Sequence, residues 1–187
     1  MEDELNRRPR RAAGERGLTL VELAAVMAVL AVLVGSAMPS WQRFLDRRAL
    51  EAAAAQLGAD LQLMRNEAVA RGETLRLAVQ SDASASCYVV HTGAAGACTC
   101  LEAAAVQCTD DARALRRARF DAASDGLRLR GLPGELRVDP RQGTFSPTGT
   151  LRLQSREGSS IAHVVNLLGR VRTCASAASG NARAASC

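Results

Sequence analysis

The sequence predicts an α+β protein, with a long N-terminal helix, transmembrane in its first half, packed on an antiparallel β-sheet domain. Three observations lead there. Leu18 to Met38 is an apolar run of 21 residues with a single charge, Glu22. Apolar residues then recur at helical spacing as far as Gly72, and beyond it the period falls from about 3.6 to 2. A helix as long as the first run spans roughly 32 Å at about 1.5 Å per residue, enough to cross a bilayer.

The segment before the run carries Arg7, Arg8, Arg10, Arg11 and Arg16 against Glu2, Asp3, Glu4 and Glu15. Arginines gathered just ahead of a span hold that end in the cytoplasm and send the rest of the chain outward. A secretory signal peptide would have an apolar region of about 7–15 residues and a small-residue cleavage site. This run is too long for that, and its carboxylate is misplaced. A lone carboxylate in such a span costs about 2.5–3.5 kcal/mol by insertion scales, which calls for a purpose.

The string Gly17-Leu18-Thr19-Leu20-Val21-Glu22, set between a basic leader and an apolar run, closely resembles the processing site of type IV prepilins and type II secretion pseudopilins. The resemblance implies cleavage by a prepilin peptidase after Gly17 and methylation of the new amino terminus on Leu18. The family more often has Phe at this place. Glu22 would then face the free amine of a neighbouring subunit as the filament assembles. An opposite charge brought close is also what chiefly stabilises a carboxylate in hydrocarbon. The expected organisation is a leader at 1–17, the transmembrane half of the helix at 18–38, its amphipathic half at 39–71 and a β-rich globular domain at 72–187.

Pro39 follows the span, and because the helical pattern continues, a kink or local loosening within one helix is expected there. Trp41 and Phe44 stand where a membrane-interface anchor would sit. Leu50, Ala54, Leu57, Leu61, Met64 and Ala68 then mark one face of an amphipathic helix that something must cover. Gly72 ends it. The stretch Met64 to Gly72, with Arg65-Asn66-Glu67-Ala68, resembles the helix end of FimT/GspH-type minor pilins, which leads straight into the first strand.

Beyond Gly72, short alternating runs separated by Gly, Pro or Asp read as antiparallel strands with one buried face. They fall near 74–80, 87–91, 115–120, 126–130, 135–139, 150–154, 161–167 and 170–174. The region from Gly93 to Asp111 is rich in Ala, Gly and Cys and reads as a disulfide-stapled loop.

With the leader removed, 170 residues remain, about 130 of them beyond the span, enough for one modest domain with a single core. All 24 basic residues are arginine. Taking the leader's five arginines and four acids from the net +5 leaves +4, compatible with an anionic partner without establishing one. The six cysteines, Cys87, Cys98, Cys100, Cys108, Cys174 and Cys187, all follow the span and should reach an oxidising compartment where disulfides persist. A zinc site made of the first four competes with this reading, but zinc ribbons favour paired C-x2-C knuckles and the closest pair here is Cys98-x-Cys100. Cys174 and Cys187 form a self-contained pair around a loop of small and polar residues. The other four cysteines allow three pairings, all of them open.

No enzymatic role, cofactor or metal is expected. His91 and His163 are isolated, and His163 falls in the apolar run Ile161 to Val165. Gly-x-Ser-x-Gly, Walker-type and histidine–carboxylate metal patterns are absent. The informative stretch is Asn166 to Cys174. If 170–174 is a strand, Arg170 and Arg172 point to one side, about 6.6 Å apart, and Val171 points to the core. Two guanidinium forks at that interval can engage neighbouring phosphates. From Leu151 to Cys187 five arginines face only Glu157, so this segment holds the whole excess of the mature chain. No aromatic residue accompanies the arginines, which argues against base stacking and for backbone contact without sequence preference.

Gly169-Arg170-Val171-Arg172 resembles the Gly-Arg-x-Arg DNA-binding motif near the C-terminus of FimT-type minor pilins, and Phe145 to Thr150 also fits the FimT/GspH domain. The resemblance covers most of residues 17–174. It implies a type IV pilin-like fold in a filament-incorporated minor pilin. Its partners would be other pilins or pseudopilins, the prepilin peptidase and the phosphate backbone of double-stranded DNA taken up in natural transformation; outside the motif, Arg183 is expected to add a contact. The chain would be a single-pass inner-membrane protein with a periplasmic C-terminal domain, moving to a periplasmic or extracellular pilus on assembly. A type II secretion minor pseudopilin without DNA binding, or a purely structural minor pilin that primes assembly, would share the processing site, the span and the fold.

Overall fold

The computed structural model describes residues 19–102, 105–109, 111–132 and 134–175, apart from the side chain of Ala37. Among them, one helix, α1 (Leu20–Arg71), runs through Pro39 and is followed by eleven strands. These are β1 (Leu75–Ser81), β2 (Ala85–His91), β3 (Cys98–Thr99), β4 (Gln107–Cys108), β5 (Ala114–Asp121) and β6 (Leu127–Arg130), then β7 (Leu136–Val138), β8 (Phe145–Ser146), β9 (Gly149–Ser155), β10 (Ser160–Val165) and β11 (Val171–Ala175). All pairings are antiparallel, in a five-stranded sheet ordered β5-β2-β1-β7-β8, a four-stranded sheet ordered β11-β10-β9-β6 and a β3-β4 ribbon.

The chain divides into two compact units, residues 1–41 and 42–187. In the first, the helical residues are exposed, from Leu20 and Val21 to Leu33, Met38 and Trp41, and the helix is long and apolar enough to cross a membrane. Thr19 caps it: its hydroxyl accepts the Glu22 N–H at 3.3 Å, and its carbonyl accepts the N–H of Leu23 at 3.1 Å.

In the second unit the expected stripe is the core-facing side of α1, with Leu50, Ala54, Leu57, Leu61, Met64 and Ala68 all buried. They join Leu75, Leu77, Tyr88 and Leu136 from the larger sheet and Leu129, Leu151, Leu153 and Val165 from the smaller in one core. Gly72, at φ +67°, closes the helix, and the N–H of Glu73 bonds the Ala68 carbonyl at 3.2 Å.

Alternation fails in β2 because both of its faces are covered. Tyr88 and Val90 turn into the main core, whereas Cys87 and Val89 pack under the 98–112 excursion with Ala78, Cys98 and Cys100. Two disulfides hold that excursion down, Cys87–Cys100 and Cys98–Cys108. This resolves the open pairing and removes the thiolates a zinc site would need. Cys98 and Cys108 are also register partners in the β3-β4 ribbon, so the segment read as a loop carries two short strands.

The other expected strands lie within a residue or two of their places. One shift bears on the arginines, at the Asn166–Arg170 turn. The expected 161–167 strand stops at Val165, and the expected 170–174 strand begins at Val171. The Asn166 side chain accepts the Arg170 N–H at 2.8 Å while the Asn166 N–H bonds the Arg170 carbonyl at 3.2 Å, so Arg170 belongs to the turn.

Candidate functional site

The Gly-Arg-x-Arg segment is built from the β10–β11 hairpin. Arg170 ends its turn, Val171 pairs with Val165, and Arg172 pairs with Val164. Arg170 and Arg172 are exposed, whereas Val171 is half-buried and packs against the core. The core anchors Val171, and the arginines on either side of it, one ending the turn and one on the strand, are left to solvent. Among the described residues neither arginine has a carboxylate partner.

The turn is closed by its own hydrogen bond and tied to neighbouring segments of the domain. The Leu167 carbonyl accepts the N–H of Phe145 at 2.9 Å, and the Gly169 N–H bonds the Asn166 carbonyl at 3.1 Å. On α1, the Arg65 guanidinium Nε donates to the Gly143 carbonyl at 3.0 Å and runs directly beneath Gly169. Gly169 has φ +78°, and a Cβ there would come within 2.8 Å of Arg65 Nε and 3.0 Å of the Gly143 oxygen. The motif glycine thus gives both a left-handed backbone and the space for Arg65. Sequence reading placed Arg65 on a helix end without linking it to this site, because the link spans 78 positions of chain.

His163 docks the same hairpin onto the helix. Its Nε2–H donates to the Ala54 carbonyl at 2.8 Å, which leaves Nδ1 to accept the Thr173 hydroxyl at 3.0 Å. Gly58 makes room for the ring: an added Cβ would lie 3.2 Å from His163 Cε1. Burial, the dominant cause, pushes the imidazole pKa below its usual value, and the hydrogen bond to Ala54 partly opposes it. His163 is therefore a buried strand residue, as its apolar surroundings in sequence suggest.

Two polar clusters lie elsewhere and escaped sequence reading, since nothing local marks them. Asp60, buried on α1, accepts the Tyr88 hydroxyl at 2.6 Å, with Arg116 Nε 3.9 Å from its other oxygen. Burial first, then the Asp60 carboxylate, raises the Tyr88 pKa well above its usual value. Fully buried His91 donates from Nδ1 to the Thr92 carbonyl at 2.8 Å and turns Nε2 toward Glu135 Oε1, 3.6 Å away. Glu135 also receives the N–H of Gly96 at 2.7 Å, which ties the stapled excursion to the larger sheet.

Glu22 is exposed in the first helical turn, where an acid also complements the helix dipole. Cys174 is disulfide-bonded. Gly17, Leu18, Arg183 and Cys187 lie outside the described residues. Among the described residues no group of histidine, cysteine and acidic side chains could hold a metal ion.

A family model described as type II transport protein GspH matches residues 53–169. The match runs from the core-facing part of α1 through β10 to the motif glycine and stops before β11, so Arg170 and Arg172 lie beyond it. No curated protein and no solved structure matches the chain. The apolar N-terminal helix, the antiparallel sheet domain behind it and this match, which covers more than half of the sequence, agree that the chain belongs to the GspH family of pilin-like proteins.

Proposed function

We propose that this protein is a minor type IV pilin of the FimT/GspH type that binds double-stranded DNA during natural transformation. Membership of the GspH family implies assembly with other pilins or pseudopilins in a filament. The finer reading rests above all on the Asn166–Arg172 segment: two exposed guanidinium groups held by a buried glycine and a core-packed valine, with no acid paired to them among the described residues. Guanidinium forks suit phosphate oxygens, and without aromatic or amide side chains between them they track a backbone rather than read bases. In this reading Gly17 and Leu18 are the cleavage and methylation site, Glu22 guides subunit docking, and Arg183 adds a phosphate contact. The protein waits in the inner membrane with its C-terminal domain in the periplasm.

The second reading is favoured by the wording of the family match, type II transport. A secretion-system minor pseudopilin would use the same helix and fold as a structural subunit, and its arginines would be an ordinary solvated face. Fluorescence anisotropy with a labelled duplex separates the two. Arg170→Gln with Arg172→Gln should remove most binding at matched low salt and leave the far-ultraviolet dichroism unchanged. Binding equal to the parent's would hand the reading to the secretion-type subunit.

A further inference from the structure

The four-stranded sheet has a second pair of unengaged arginines on the face that carries Arg172. In β6 and β9, Leu129 pairs with Leu153 and both are buried, so Arg130 and Arg152, the next pair in register, turn to the opposite face. Arg152 pairs with Ala162 across to β10, and two residues along β10 Val164 pairs with Arg172 of β11. Pleat parity therefore sets Arg130, Arg152 and Arg172 on one face. At about 4.8 Å between strands and 6.6 Å per pleat repeat, Arg130 and Arg172 stand roughly 16 Å apart.

The other two arginines of this sheet and its hairpins are already engaged. Arg128 donates to the Asp82 and Ala83 carbonyls, and Arg156 to those of Ala122 and Ala123. Among the described residues Arg130, Arg152, Arg170 and Arg172 have neither a carboxylate nor a carbonyl partner for their guanidinium groups, and all four are exposed. None of the four strands contains an acid. Like charges directly opposite on a sheet destabilise it by about 0.2–1 kcal/mol, and Arg130 opposite Arg152 is such a pair. A bound polyanion removes that repulsion.

We propose that Arg130 and Arg152 extend the Arg170/Arg172 site into one phosphate-tracking face across all four strands of this sheet. The inference takes the identity of the polyanion, duplex DNA, from the function proposed above. Over about 16 Å a duplex presents roughly nine phosphates at one per 1.7 Å, ample for four guanidinium groups.

The test is a salt titration of DNA binding by the detergent-solubilised full chain. Four phosphate contacts at a slope of about 0.9 each predict an affinity loss of about 150-fold between 50 and 200 mM salt. With Arg130→Gln and Arg152→Gln the loss over the same range should shrink to about 12-fold. Arg130→Lys with Arg152→Lys, which keeps the charges, should restore the steep dependence and so separates charge from folding. Arg137→Gln with Arg141→Gln, both exposed but outside this sheet, should leave it unchanged. If the 130/152 glutamine variant stays as steep as the parent while Arg170→Gln with Arg172→Gln flattens, the extended face is overturned and the hairpin site stands. If neither pair flattens the titration, both are overturned. Equal flattening by the 137/141 control would reduce the effect to net charge and also overturn the extended face.

Discussion

Gly169→Ala tests how the arginine turn is held. At φ +78° an alanine costs about 1–2 kcal/mol in backbone strain alone. The new Cβ would also sit 2.8 Å from Arg65 Nε and 3.0 Å from its Cδ, with the Gly143 carbonyl oxygen at 3.0 Å blocking the other side. Arg65 must then withdraw and lose its bond to Gly143, a charged hydrogen bond of the kind that contributes about 1.5–3 kcal/mol. The sum is about 2.5–5 kcal/mol. Gly158 is the matched control, because its φ is +85° and nothing lies within 4 Å of an added Cβ, so only the strain of about 1–2 kcal/mol remains. Calorimetry on the fragment 42–187, which contains every buried core residue among those described, should show Gly169→Ala melting about 8–20 °C below the parent and Gly158→Ala about 3–8 °C below. In an Arg65→Ala background the excess at Gly169 should shrink toward the control. Equal losses at the two glycines would refute the claim that Arg65 supports the turn.

Three further outcomes are expected. The folded state keeps His163 neutral below its ordinary titration range while the unfolded chain takes up a proton. Its stability contribution is therefore full above about pH 6.5 and is lost as pH falls toward the lowered pKa. Urea unfolding should show the parent losing stability from pH 7.5 to 5 and His163→Gln losing less; identical slopes would count against this role. Thiol titration of the denatured, unreduced protein should find no free cysteine and metal analysis no zinc. Cys98→Ser with Cys108→Ser should cost about 3 kcal/mol by loop closure. Four reactive thiols with one zinc would contradict the disulfide pattern.

The helix and most strands were legible because their signals are local. The spacing of Leu50, Leu57, Leu61 and Met64 is imposed by one covered face, and the alternation in β9 by another. The β3-β4 ribbon escaped because two-residue strands have no period to read, and its fold is set by the disulfides and by packing against β2. The strand edge was misplaced at Arg170 because the Asn166 side chain extends the turn, an interaction between positions that alternation does not register. At the candidate site, Arg170 and Arg172 were legible as a motif. Arg65 beneath Gly169 was not, and neither was the alignment of Arg130 and Arg152 with Arg172, since both depend on register between distant segments.

Because every basic side chain in the sequence is an arginine, arginine-selective modification can survey every basic side chain at once. The most direct measurement is phenylglyoxal labelling of the protein with and without duplex DNA, read residue by residue by mass spectrometry. Arg170 and Arg172 should be protected by DNA at low salt and should regain reactivity as salt is raised, while Arg43 and Arg137, exposed elsewhere, react equally throughout. Unchanged labelling at Arg170 and Arg172 in the presence of bound DNA would contradict their assignment as the DNA-binding pair.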